Sequence, residues 1–94
     1  MAAEAELEKY LLRRVKELGG DTRKVRWIGR NGAPDRLVLL PPRGIYQAFA
    51  FFVELKAPGK EPTAAQRYEH NQLASYGLRV VVVDSIDEIE RILK

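Results

Sequence analysis

Apolar residues recur at Leu7, Leu11, Val15 and Leu18, at three- and four-residue intervals, and Gly19-Gly20 follows. That spacing lays one apolar stripe along a helix, so a helix is predicted over residues 3 to 18 with the glycines as its stop. Extended backwards, the stripe lands on Glu4; Glu8 lies on its flank, and Glu6 and Lys9 point outward. Residues 21 to 28 pass from a polar turn to a short strand pattern around Val25 and Trp27, which Gly29-Arg30-Asn31-Gly32 breaks. Residues 36 to 40 read as a second strand, ended by Pro41-Pro42-Arg43-Gly44. The apolar run from 45 to 57 predicts a third strand, closed by Pro58-Gly59-Lys60-Glu61-Pro62. Thr63 with Gln66 forms a capping box for a helix over 64 to 76, which Gly77 stops. The β-branched run from 79 to 84 predicts a strand buried on both faces. Ser85 and Glu88 then cap a last helix whose Ile86, Ile89, Ile92 and Leu93 form its buried stripe. The order α-β-β-β-α-β-α predicts an α/β protein with a mixed central sheet flanked by helices.

Composition narrows the partners and the chemistry. Ninety-four residues with 46% apolar content suit one domain, residues 1 to 94, with its own core. A net charge of +3 is compatible with a polyanionic partner, although basicity this modest serves solubility equally well. Without cysteine there is no disulfide framework and no thiolate zinc site, and the single His70 builds no histidine cluster. No charged-then-apolar leader and no apolar run of about 20 residues is present, so a soluble, cytoplasmic protein is expected.

The candidate chemistry lies where the second and third strands meet. In a strand, Glu54 and Lys56 leave the same face about 7 Å apart, while Phe51, Val53 and Leu55 point the other way into a core. Asp35 follows a Gly-x-Pro turn at the start of the second strand. If the two strands form a hairpin, Asp35 lies beside Glu54. Two carboxylates that close, with one lysine, are costly unless a cation sits between them. Oxygen ligands without cysteine point to Mg2+ or Mn2+, and such a site suits hydrolysis of a phosphodiester, with Lys56 positioning or helping to deprotonate the attacking water. The loop with Arg30 and Asn31, flanked by Arg26 and Arg36, reads as a solvated turn or as a phosphate contact, the latter favoured by its neighbourhood. Trp27 reads as packing rather than a stacking platform, and His70 as a hydrogen-bonded, partly buried side chain rather than a ligand.

Taken together, Gly32-Ala33-Pro34-Asp35-Arg36, the strand Phe52-Val53-Glu54-Leu55-Lys56, the acidic opening helix and the glutamine-led helix resemble the VRR-NUC branch of the PD-(D/E)XK nucleases, from residue 4 to about 92. The resemblance implies a restriction-endonuclease-like α-β-β-β-α-β core with a C-terminal helix. It also implies a Mg2+- or Mn2+-dependent endonuclease acting on DNA. Asp35, Glu54 and the Leu55 backbone carbonyl would hold the ion, with Glu4 from the first helix directly or through a water; acids in a first helical turn equally complement the helix dipole. Lys56 would be catalytic, and Gln66 would reach the water or phosphate from the side opposite Asp35, a role favoured over a capping role alone. Stand-alone domains of this kind look like phage enzymes that cut branched DNA, whereas others are appended to helicases or repair proteins. One chain carries one cutting centre, so paired incision of a four-way junction points to a homodimer of two-fold symmetry. No base-reading helix is recognisable, so sequence specificity is not expected. A non-catalytic DNA-binding module, or a nuclease subunit directed by a partner, is the alternative; the presence of Asp35, Glu54 and Lys56 together argues against loss of chemistry. A purely structural interaction protein is less favoured, because no helical stripe is left exposed and apolar.

Overall fold

The computed structural model describes residues 3–94. Helix α1 (Glu4–Glu17) leads to strands β1 (Asp21–Lys24), β2 (Arg36–Leu40) and β3 (Phe49–Leu55), then helix α2 (Ala64–Ser75), strand β4 (Val80–Val83) and helix α3 (Ile86–Leu93). The strands form one sheet in the order β1-β2-β3-β4. The first three pair antiparallel in chain order, and β4 lies parallel to β3 because the α2 crossover carries the chain back to the same end.

Strand alternation decides what each face carries. Phe51, Val53 and Leu55 of β3 join Val38, Leu40 and Val83 on one face, where Leu7, Leu11 and Val15 of α1 and Ile89 and Leu93 of α3 cover them. The helical stripe read from the sequence is thus the stripe that packs. Tyr10 and Arg14 of α1 both bond Glu90 of α3 at 2.6 Å, clasping the two helices along their shared edge. Phe52, Glu54 and Lys56 belong to the opposite face, and there the ring of Phe52 packs against Trp27 at 5.5 Å between centroids. Among the described residues no helix is long and apolar enough to cross a membrane.

Several elements differ from their expected form. Strand β1 begins at Asp21, where a polar turn was expected, and ends at Lys24, before Val25 and Trp27. Gly19, at φ +83°, completes the reversal after α1, and the ladder to β2 is made by backbone groups that are indifferent to polar side chains. Trp27 leaves that ladder, its Nε1 donating to the Pro34 carbonyl at 2.6 Å. Strand β3 starts at Phe49 rather than 45, because Arg43 and Tyr46 close the hairpin tip with an isolated bridge that leaves Ile45 92% exposed. Strand β4 is one of the sheet's two edges: only Val83 is buried and Val80 to Val82 are half-buried, since a β-branched run reads alike for two-sided burial and for an edge with one open side. Ile86 at the start of α3 is also exposed, leaving Ile89 and Leu93 as its buried residues.

Candidate active site

A cleft of about 870 Å³ opens at the end of the sheet, lined by Glu4 and Glu8 of α1, Asp35, Glu54, Asn31 and Gln66 among others. Its centre follows from strand register. Arg36 of β2 pairs with Val53 of β3, so the next antiparallel step sets Asp35 opposite Glu54. Val25 N–H donates to the Asp35 carbonyl at 2.8 Å, which ties the backbone of this acid to the end of β1.

Glu54 is the most enclosed of these acids. Burial pushes its pKa above the ordinary glutamate value; the His70 hydrogen bond and the His70 and Lys56 charges pull it back, and the Asp35 charge adds to the rise. Two side chains of α2 hold it. His70 Nε2 lies 3.3 Å from Glu54 Oε1, and Gln66 Nε2 donates to Glu54 Oε2 at 3.4 Å. The Gln66 amide has no freedom to turn, because its Oε1 accepts the Thr63 N–H at 2.9 Å in a complete capping box. The cap and the contact with Glu54 are therefore two ends of one amide.

The loop before Asp35 is fastened to the same helix. Gly32 has φ +85°, and a Cβ there would lie 2.7 Å from the Ala65 carbonyl carbon and 2.8 Å from Gln66 N. Only glycine lets the loop approach the first turn of α2 so closely. Arg30 Nη1 lies 3.3 Å from Oε1 of the buried Glu69, one turn beyond Gln66 on α2.

Of the sequence-derived candidates, Glu4, Asp35, Glu54, Leu55, Gln66 and Asn31 line the cleft, and Lys56 stands close enough to Glu54 to stabilise its charge. Glu6 faces a different, shallower depression with Lys9 and Arg13. Arg26 is exposed, and Arg30 keeps a largely exposed side chain despite its bond to Glu69. Arg36 is turned inward: its side chain is 11% exposed and donates to Glu8 Oε2 at 2.7 Å, leaving its Nε buried without a partner. Alternation explains this, since Arg36 shares the α1-covered face with Val53.

Sequence reasoning assigned no role to Lys24, which lies 3.1 Å from Asp35 and 3.8 Å from Glu8, and none to Glu69. Glu8 was placed only on the stripe's flank. Its position one helical turn after Glu4 was the available signal.

Among the described residues no three His, Cys, Asp or Glu side chains stand close enough together to hold a metal ion by themselves. The lining offers carboxylate oxygens as its metal-binding groups, two opposed at β2 and β3 and two more on α1, with the Lys24 ammonium beside them. That set fits a hard divalent cation that keeps several waters and leaves room for phosphate oxygens, and it does not fit a caged structural ion.

Comparison with known proteins places this architecture. No family model matches the chain. A protein named "Putative nuclease p44", from Acyrthosiphon pisum secondary endosymbiont phage 1, is 45% identical over 84 residues, which span 89% of this chain and 85% of that protein. A solved structure described as a VRR_NUC domain is 36% identical and superposes with a TM-score of 0.80, over 98% of this chain and 96% of that one.

Proposed function

Because the chain belongs to the VRR-NUC nuclease family, we propose that the cleft hydrolyses DNA phosphodiester bonds as a divalent-cation-dependent endonuclease. The observation that carries this reading is the opposition of Asp35 and Glu54 across β2 and β3 at the open end of the sheet, with Lys56 two residues beyond Glu54.

Asp35, Glu54 and the Leu55 carbonyl would hold Mg2+ or Mn2+, with Glu4 contributing directly or through a water. Such an ion, when bound, supplies charge neutralisation at the phosphate and a more acidic water. The protein's own groups do the rest. Lys56 orients the attacking water and donates to a phosphate oxygen, which favours the charge that grows there in the transition state. Gln66, its amide fixed by the helix cap, holds Glu54 in place and presents α2 to the phosphate. His70 favours the ionised form of Glu54, the form that can bind a cation. The water gives up a proton, with Lys56 helping, as its oxygen bonds to phosphorus; the bond from phosphorus to the leaving oxygen breaks, and that oxygen takes up a proton from solvent. Arg26, Arg30 and Asn31 contact the backbone beside the cut, which positions DNA without reading its sequence. Arg36 acts at one remove, by holding Glu8.

The preferred substrate is branched DNA, a four-way junction above all, cut by paired nicks. Each chain carries one centre, and a homodimer with two-fold symmetry sets two centres in opposite polarity. The site of action is the cytoplasm of a bacterial or phage-infected cell. A non-catalytic DNA-binding role is disfavoured by the retention of Asp35, Glu54 and Lys56 together.

Cleavage of supercoiled plasmid, linear duplex, flaps and four-way junctions, each in Mg2+ and in Mn2+, tests the reading. Nicking of junctions ahead of linear duplex, lost in Asp35→Ala, is expected. Absence of cleavage in every cation would overturn the nuclease assignment, and equal rates on all substrates would remove the preference for branches. A single-chain mass by light scattering at micromolar concentration would remove the dimer.

A further inference from the structure

The acids of the cleft already carry a cation of the protein's own. Lys24 Nζ stands 3.1 Å from Asp35 Oδ2 and 3.8 Å from Glu8 Oε2, joining the acid that opens β2 to an acid of α1. Register puts it there: Lys24 ends β1 directly opposite Arg36, one residue from the backbone bond between Val25 and Asp35.

The two basic residues of this cross-strand pair are held very differently. Arg36 is 11% exposed and bound to Glu8 at 2.7 Å, whereas the Lys24 side chain is 61% exposed and its Asp35 partner is 56% exposed. Solvent-exposed lysine pairs contribute little stability, because water screens them and the long side chain gives up rotamer freedom to form them. Lys24 can therefore leave the acids at small cost, and its four-carbon stem keeps the ammonium near the cleft wall it lines.

We propose that Lys24 is a displaceable counter-ion of the cation site. It neutralises Asp35 while no divalent cation is bound, with the Arg36-held Glu8 within its reach, and once one binds it is released to a DNA phosphate in the cleft. This rests on the reading of Asp35 as a cation ligand. A divalent cation next to Asp35 repels the ammonium and competes for the same carboxylate oxygens. Incoming DNA offers the freed ammonium a phosphate in their place, so cation and DNA loading are coupled through one side chain.

The test is calorimetric titration of Mn2+ into the full chain as wild type, Lys24→Met, Lys24→Arg and Asp35→Asn. A pair this exposed opposes cation binding only modestly, so Lys24→Met is expected to bind Mn2+ about threefold tighter and Lys24→Arg to stay near wild type. Binding of a short duplex to the Ca2+-loaded protein is expected to weaken in Lys24→Met, with the slope of log affinity against log salt reduced by about 1. Unchanged or weaker Mn2+ binding in Lys24→Met would overturn the proposal while leaving the ligand reading intact, provided Asp35→Asn loses the ion. Equal Mn2+ binding by wild type and Asp35→Asn would instead remove the ligand reading and the proposal with it. Thermal melts of the Lys24 variants are expected to match wild type, because Lys24 lies at the exposed end of an edge strand.

Discussion

Removing the Glu8 carboxylate leaves Arg36 charged on the covered face of the sheet, with its strongest partner gone. The guanidinium is 11% exposed, its Nε already has no acceptor, and its Nη2 donates to Glu8 at 2.7 Å. A charged hydrogen bond of this kind contributes about 1.5–3 kcal/mol, so Glu8→Ala should cost about 2 kcal/mol. For a domain this small that lowers Tm by about 10 °C. Arg36→Met removes the charge and keeps an unbranched side chain against Val53, so it should cost about 1 kcal/mol or less, since apolar replacement of a buried charge is often neutral. Adding Glu8→Ala to Arg36→Met should then cost almost nothing more, a coupling of about 2 kcal/mol. Urea unfolding of the four proteins measures the cycle. A Glu8→Ala cost within about 0.5 kcal/mol of zero, the range of ordinary surface substitutions, would refute the account of Arg36 as a residue committed to α1.

Asp35→Ala and Glu54→Ala should each abolish cleavage while leaving the fold and DNA binding, because loss of an acid also reduces repulsion of phosphate; plasmid nicking with parallel gel-shift binding checks this. Gln66→Ala should lose about 1 kcal/mol of stability from its cap and, in addition, slow cleavage beyond that loss, whereas Glu6→Gln should be silent and Glu4→Gln should weaken cation binding. The acid limb of the rate profile should lie above the ordinary glutamate range, because burial raises Glu54 and its ionised form is the active one. His70→Ala removes an influence that lowers that pKa, so the limb should move to still higher pH at fixed cation concentration. The Glu90 pKa is held down to about 2 by the Arg14 and Tyr10 hydrogen bonds, so its stabilising effect is complete above the ordinary glutamate value and lost as pH falls toward about 2. Acid unfolding of Arg14→Met, which should show less loss over that window than wild type, checks the sign.

Local pattern was enough for most of the scaffold. The stripe Leu7, Leu11, Val15, the capping box of Thr63 and Gln66, and the alternation of Phe51, Val53 and Leu55 against Glu54 each follow from a period or a cap written within a few consecutive residues. The opposition of Asp35 and Glu54 was legible for the same reason, since a hairpin between two adjacent strands brings the start of one to the end of the other. What the sequence left open depends on contacts between elements distant in the chain. A polar β1 and an edge β4 are set by which strand lies beside which, and their side chains do not report that. The inward turn of Arg36 onto Glu8, the anchoring of Arg30 by Glu69 and the bridge of Lys24 between Asp35 and Glu8 all require the angle at which α1 and α2 cross the sheet's open end. A charged residue reads the same in one dimension whether it faces solvent or another charge; only packing in three dimensions brings these ions within reach and decides which of them remain available to DNA.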